Sequence, residues 1–469
     1  MIVRIKRTAI SNLNNVSYGQ INLSNQRSNA SHHYDASIMG LYGQNGSGKT
    51  TIVEALNIIK HLMMGKEIPS RYLNIIQSGK ASASIEIDFS IIDESKELLN
   101  IQYAVTFAKI EKEIQLDDLM SHEKEYRLGV IEEHFSMTEW GKNSFEKLIV
   151  CDLRDDGVFT PKTKLNVFTG DSEKAKKDLF IAKKVSYEKG TSFIFSGATL
   201  RVFRENCLND QYVNALVELA AYANYNLFVI ETKNDALIYT NAGLPINFKI
   251  NVGEQNSFAL GSFAIPFNGI NTRISARAFP VVKQSFESIN IVLEQLIPGL
   301  RVQAEEVGCE TTTNGEELIQ VHFTSLRNGN KISLVNESSG IKKIISILQL
   351  LIVMYNNPTT TVVIDELDSG VFEYLLGELL RIVSNQAKGQ LLFTAHNLRA
   401  LETIDKSFVY FTTTNPENRY IKMAYVNKNN NLRDFYFHEI LLNGQKEELY
   451  DLTQNGAIAL AFREAGKLI

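Results

Sequence analysis

The stretch Ser37-Ile-Met-Gly-Leu-Tyr-Gly-Gln-Asn-Gly-Ser-Gly-Lys-Thr-Thr51 decides how this 469-residue chain is read. It begins as a short apolar run, Ser37 to Tyr42, that stops at Gly43. Gly43-Gln-Asn-Gly-Ser-Gly-Lys-Thr50 then fits the spacing G-x-x-x-x-G-K-[ST]. In residues 50–64, Ile52, Ala55, Leu56, Ile59 and Leu62 share one helical face. A strand, a Gly-rich loop and an amphipathic helix in that order are the context in which the loop cradles phosphate. Gly43, Gly46 and Gly48 let the backbone curl into a nest of N–H groups. Lys49 brings a cation to the terminal phosphates, and the Thr50 hydroxyl can bind Mg²⁺. The helix adds its positive dipole end. Gly43, Gln44, Asn45, Gly46, Ser47, Gly48, Lys49, Thr50 and Thr51 are thus the expected cradle for a nucleoside triphosphate.

Far along the chain, Thr360-Thr-Val-Val-Ile364 reads as a buried strand ending in Asp365-Glu366. Ligands bind at the carboxyl ends of strands in open α/β sheets. Asp365 is therefore the second expected Mg²⁺ ligand beside Thr50. Glu366, one residue on, points elsewhere and is the expected general base for an attacking water. Strand Gln390–Ala395 ends at His396, which should reach the same edge and donate to the terminal phosphate. Asp368-Ser369-Gly370 precedes a helix. Asn336-Glu-Ser-Ser-Gly-Ile-Lys-Lys343 opens another, where Ser338 and Gly340 place a hydroxyl and bare backbone at a helix N-terminus.

The remainder sets the bounds. With 44% hydrophobic and 22% charged residues, the chain can bury a large core. With 28 Gly and only 8 Pro, it is neither collagen-like nor low-complexity. Its 48 basic and 53 acidic residues give a net charge of −5, which excludes a globally basic nucleic-acid coat but not a local basic face. Cys151, Cys207 and Cys309 stand in no metal spacing and suggest a reducing, cytoplasmic setting. The N-terminus lacks the apolar core of a signal peptide. Ile344 to Tyr355 is too short to span a bilayer, so no membrane partner is expected.

Ala81 to Phe89 alternates as a half-buried strand, with 101–107 expected to pair with it. Val282, Phe286, Ile289, Leu293 and Leu296 form one helical stripe. From Ser338 onward helix and strand alternate, which argues for a parallel sheet covered by helices. Residues 110–280 are the least legible. Within them, Asp152, Asp155, Asp156 and Gly157 read as a turn, and Lys162–Arg204 as a basic stretch with interleaved acids.

Gly43–Thr50, Ser338-Ser-Gly340, Ile364-Asp-Glu366, Asp368 and His396 together resemble the ABC-type ATPase head in its SMC, RecF and OLD branch. In that order they match its Walker A loop, signature, Walker B with catalytic Glu, D-loop and H-loop. The signature departs from the family pattern at Ile341, where a Gln is usual. Gln77 follows the first helix too closely to serve as the Q-loop glutamine. Ile10–Val16 resembles the N-terminal strand and turn of these ATPases, while Arg433–Ile440 and the final helix resemble the tail of bacterial abortive-infection ATPases of the AbiL type, similar also to the ATPase subunits of PARIS and Septu phage defence.

This resemblance implies an α/β fold, an ABC-type P-loop ATPase head in which helices cover a mixed sheet, with a large α+β insertion. It implies an N-terminal lobe at 1–110, an insertion at 111–330 and a C-terminal lobe at 331–469. It also implies ATP and Mg²⁺ as cofactors and Ser338, Gly340 and Asp368 as ATP contacts across a head-to-head dimer. Its output would be as a nucleotide-gated sensor for a separate effector, such as a nuclease, in anti-phage defence. The competing expectation is a RecF- or SMC-like repair or chromosome ATPase that binds DNA directly.

Overall fold

The computed structural model describes residues 1–23, 37–92, 98–111, 125–138, 144–240, 242–251, 258–266, 271–424, 431–442, 444–451 and 454–467. The chain opens with β1 (Ile2–Leu13) and β2 (Val16–Asn22), which turn on Asn14-Asn15. Strand β3 (Ser37–Tyr42) is buried at every position, as a strand covered on both faces must be. Helix α1 (Lys49–Met63) follows the glycine loop. Strands β4 (Ser82–Ile92), β5 (Leu98–Glu111), β6 (Tyr126–Met137) and β7 (Glu146–Asp152) complete an antiparallel sheet in the order β2-β1-β4-β5-β6-β7. The alternation at 81–89 is β4, and it pairs with β5 at Phe89↔Ile101 as expected.

Four helices cover this sheet: α2 (Lys162–Thr169), α3 (Glu173–Lys189), α4 (Gly197–Asn206) and α5 (Asp210–Tyr225). Aromatic packing joins them, with Phe168 and Phe203 ring centroids 4.5 Å apart and Tyr222 edge-on to Phe89 at 6.0 Å. Residue 110, read as the end of the first lobe, falls inside β5, whose ladder to β6 runs on to Glu111↔Tyr126, and one core continues through Leu227. Hydrogen bonding between neighbouring strands, not a change in composition, holds this unit together.

The chain then enters a second sheet with β8 (Leu227–Ile230) and leaves it through α6 (Thr232–Tyr239). A hairpin of β9 (Gly243–Asn251) and β10 (Phe258–Pro266) follows. Next come β11 (Thr272–Ser275), α7 (Phe279–Leu296), β12 (Leu300–Thr311), β13 (Glu317–Arg327) and β14 (Asn330–Ser333), whose strands form a small antiparallel sheet. The stripe read at 282–296 is the buried face of α7, which also buries Asn290.

The last part contains α8 (Ser339–Asn356), β15 (Thr361–Ile364), α9 (Glu373–Gln386), β16 (Gln390–Ala395), β17 (Val409–Thr412), β18 (Tyr420–Ile421), α10 (Leu432–Leu442) and α11 (Asn455–Ala465). After β16 the chain makes only a short 3₁₀ turn at Leu398–Glu402. Among the described residues, α8 alone is long and apolar enough to cross a membrane, because Ser339 to Lys343 lengthen the run at 344–355. It is 67% buried and belongs to the core of the parallel sheet.

That sheet runs β18-β17-β3-β16-β15-β8, parallel from β17 to β8 with β18 antiparallel at the edge. The fold is α/β with helices covering a mixed sheet, as expected. β3, from the start of the chain, lies between β17 and β16 from its end. The two sheets are clamped by the Gln390 side-chain amide, which pairs with both the N–H and the C=O of Ile5 at 2.8 Å. Arg4 reinforces the clamp by donating to the Lys388 carbonyl at 2.8 Å.

Candidate functional site

The carboxyl ends of β3, β16 and β15 lie side by side, and each carries chemistry. β3 runs into Gly43, whose φ of +151° and contact with Thr412 leave no room for a side chain. Gly46 and Gly48 also have positive φ, at 73° and 88°, which turns their N–H groups inward. Ser47 Oγ donates to the Gln44 carbonyl at 2.7 Å and accepts from Thr412 Oγ1 at 2.7 Å, so β17 braces the loop. On the far side Tyr420 donates to the Gly48 carbonyl at 2.7 Å, and Asn15 donates to that of Gly46. Gln44 exchanges hydrogen bonds with Asp451 of the C-terminal segment.

Lys49 is buried and donates to the carbonyls of Gly43 and Gln44 at 2.9 and 2.8 Å. Burial lowers its pKa from 10.5 to about 8, against the opposing pull of Asp365, Glu366 and Asp368. A strand-end carboxylate opposite it is completely buried, that of Asp365. Asp365 Oδ1 lies 3.3 Å from Thr50 Oγ1 and accepts from Thr394 Oγ1 at 2.6 Å. Its Oδ2 accepts from the Thr232 hydroxyl. These hard oxygens suit Mg²⁺, which needs one or two protein ligands when phosphate and water fill its remaining positions. Thr50 and Asp365 would hold it.

Glu366 adopts a left-handed backbone, φ 47°, which is uncommon for a residue with a Cβ. The turn sends it away from Asp365 and into a cavity of about 470 Å³. That cavity is lined by Asn14, Asn15, residues 45–51, Glu366, Thr394 and His396. His396 sits at its mouth. Partial burial and then the Lys49 charge hold its pKa below 6.5, with the nearby carboxylates opposing, so the imidazole is neutral at pH 7. It can donate one hydrogen bond without adding charge.

Lys49, Thr50, Glu366 and His396 thus meet in one cavity, with Asp365 directly beneath it. Ser338, Gly340 and Asp368 are not among its lining residues. The exposed Ser338 caps α8, its Oγ accepting from the Ile341 N–H at 3.4 Å. Gly340 packs on the turn after β15, where a methyl group would stand 2.0 Å from the Gly370 carbonyl oxygen. Asp368 accepts from the backbone N–H groups of His396 and Asn397, so it shapes the histidine turn. Gln77 exchanges hydrogen bonds with Ser17, away from the cavity.

Sequence reading missed Thr232, Thr394, Asn14 and Asn15. Thr394 is internal to an apolar strand, and β8, which delivers Thr232, lies in the illegible middle. The acidic turn is a set of ion pairs. Asp152 pairs with Arg154 at 2.6 Å, Asp155 with the buried Lys183 at 2.5 Å and Asp156 with Lys184 at 3.2 Å. Among the described residues, no group of three or more His, Cys, Asp or Glu could hold a metal ion.

No family model matches the chain, and no curated protein matches it. Similar solved structures include an SMC head bound to the C-winged helix domain of ScpA, at 10% identity over 90% of this chain and 98% of that one, TM-score 0.43. A Pyrococcus yayanosii Smc head domain with a coiled coil and joint is 10% identical over 93% and 99% of the two chains, TM-score 0.40. The ATP complex of the recombination mediator RecF is 12% identical over 84% and 94%, TM-score 0.31. Likenesses this distant leave the site's own geometry as the ground for a functional reading.

Proposed function

We propose that the chain is an ABC-type ATPase head that binds ATP with Mg²⁺ and hydrolyses it in a head-to-head dimer. Its nucleotide state would then gate a separate effector protein in anti-phage defence. The observation carrying the ATPase reading is the convergence of Lys49, Thr50, Glu366 and His396 on one cavity above a buried Asp365. Lys49 leaves the loop carbonyls and turns its ammonium to the terminal phosphate. Mg²⁺ held by Thr50 and Asp365 would supply neutralising charge to the phosphates. Glu366 Oε accepts a proton from the attacking water, and neutral His396 donates to the phosphoryl oxygen.

Ser338 supports the dimer, since it stands exposed at the positive end of α8 and outside its own chain's cavity. The phosphate it would cap belongs to a second copy. Phe372 and Tyr374, next to the Asp368 turn, are 70% and 57% exposed, as an unclosed interface would leave them. The effector reading rests on the sequence resemblance, and Asp152, Asp155 and Asp156 are engaged by Arg154, Lys183 and Lys184. The defence reading rests on the sequence resemblance at 433–440.

The test is Glu366→Gln. It should bind ATP with wild-type affinity, hydrolyse it about 10²- to 10⁴-fold more slowly, and accumulate as an ATP-bound dimer by light scattering. Wild-type turnover would overturn the reading.

A second reading, direct DNA binding, is favoured by the exposed Lys162, Lys174, Lys177, Lys189, Arg201 and Arg204 on α2–α4. DNA affinity that falls steeply with salt would support it.

A further inference from the structure

Asp365 and Glu366 need opposite things from adjacent backbone. One carboxylate must stay buried under the cradle while the next faces the cavity. The residue touching both is Thr394, on β16, the strand between β3 and β15. It is completely buried. A hydroxyl has one proton and two lone pairs. The Glu366 backbone N–H, which can only donate, occupies a lone pair of Thr394 Oγ1 at 2.8 Å. The hydroxyl proton is directed at Asp365 Oδ1, 2.6 Å away. The Thr394 carbonyl in turn accepts from the Leu367 N–H at 3.0 Å. A single residue therefore orients the carboxylate beneath Thr50 and ties down both ends of the left-handed peptide that aims Glu366. Thr232, the first residue of α6 just after β8, holds the other oxygen of Asp365. The carboxylate plane is fixed from both sides of β15.

We propose that Thr394 is a positioning residue that sets the Mg²⁺ ligand and the general base in one geometry, with Thr232 as its partner on the opposite oxygen. This rests on the ATPase reading and specifies which groups make its two acids work. Thr394 acts through Asp365 and Glu366, as outer partners of metal ligands do.

The experiment measures binding of a fluorescent ATP analogue by the full chain, in EDTA and across a Mg²⁺ titration, beside steady-state hydrolysis. Thr394→Val keeps the shape and removes the hydroxyl. It should raise the Mg²⁺ needed for half-saturation about 10- to 100-fold and lower kcat by a similar factor, an effect far larger than any change in metal-free binding. KM for ATP at saturating Mg²⁺ should stay near wild type. Thr394→Ser should restore both, and Thr232→Val should raise the Mg²⁺ requirement by about tenfold. If Thr394→Val does not fold, Thr394→Cys, with a weak donor of similar size, takes its place and must show the same higher Mg²⁺ requirement. A Thr394 variant lacking the hydroxyl with wild-type Mg²⁺ dependence would overturn the proposal, as would a loss that Thr394→Ser fails to restore. A wild-type chain that binds no ATP under either condition would overturn the ATPase reading itself, a different outcome from either.

Discussion

Raising the pH from 7 to about 9.5 should weaken ATP binding and stabilise the free protein over the same window. Both effects trace to Lys49. Its ammonium is buried, and its pKa in the free protein is lowered from 10.5 to about 8, chiefly by desolvation. Phosphate oxygens at the cradle favour the charged form, so binding at pH above 8 must take up a proton. If they return Lys49 to its ordinary range, the difference is worth about 3 kcal/mol, or roughly 300-fold in affinity. The loss can approach about tenfold per pH unit above 8.

The stability sign is opposite. Between about 8 and 10.5 the unfolded chain holds a proton on this lysine that the native state lacks, so unfolding free energy rises with pH. Calorimetric titration in two buffers of different ionisation enthalpy counts the protons taken up. Lys60, also lowered to about 8, lies in the last turn of α1 over the Phe228 ring and is the control. Lys60→Met should keep the pH dependence of binding, and Lys49→Met should lose it. Flat affinity from pH 7 to 9.5, or equal proton uptake in Lys49→Met, would refute the reasoning.

Two further predictions concern packing. Gly340→Ala places a methyl group 2.0 Å from the Gly370 oxygen, and the backbone must open beyond 3.0 Å. It should cost about 1–3 kcal/mol in denaturant unfolding and cut ATP turnover about 10²-fold by displacing the Asp368 turn. Unchanged stability and turnover would mean the two elements do not bear on each other. Glu133 is a buried carboxylate on β6 that accepts from Tyr103 at 2.6 Å, Ser192 at 2.5 Å, and the N–H groups of Phe193 and Ile194 at 2.7 and 3.2 Å. Glu133→Ala orphans four donors and should cost at least about 3 kcal/mol, read from urea unfolding. A loss under about 1 kcal/mol would show that these donors find other partners.

The glycine loop, Lys49 and Thr50 were legible because their chemistry lies in consecutive residues. The turn, the dipole and the cation follow from local spacing alone. Asp365 and His396 were legible for a related reason, since each ends a short apolar strand and strand ends are where α/β sheets expose ligands. The stripe at 282–296 and the alternation at 81–89 have periods that name their elements.

The rest depended on who sits beside whom. Nothing in Leu227–Ile230 marks it as the strand beside β15, and Thr232 meets Asp365 only because that parallel pairing forms. Thr394 reads as one polar residue in a buried strand until β16 is seen between β3 and β15. The first sheet continues past residue 110 because strands recruit partners by hydrogen bonding, which leaves no periodic trace in the chain. Local spacing determined which residues could hold a triphosphate. The pairing of distant strands decided which hydroxyls orient its acids, because a four-residue strand is too short to declare its neighbour.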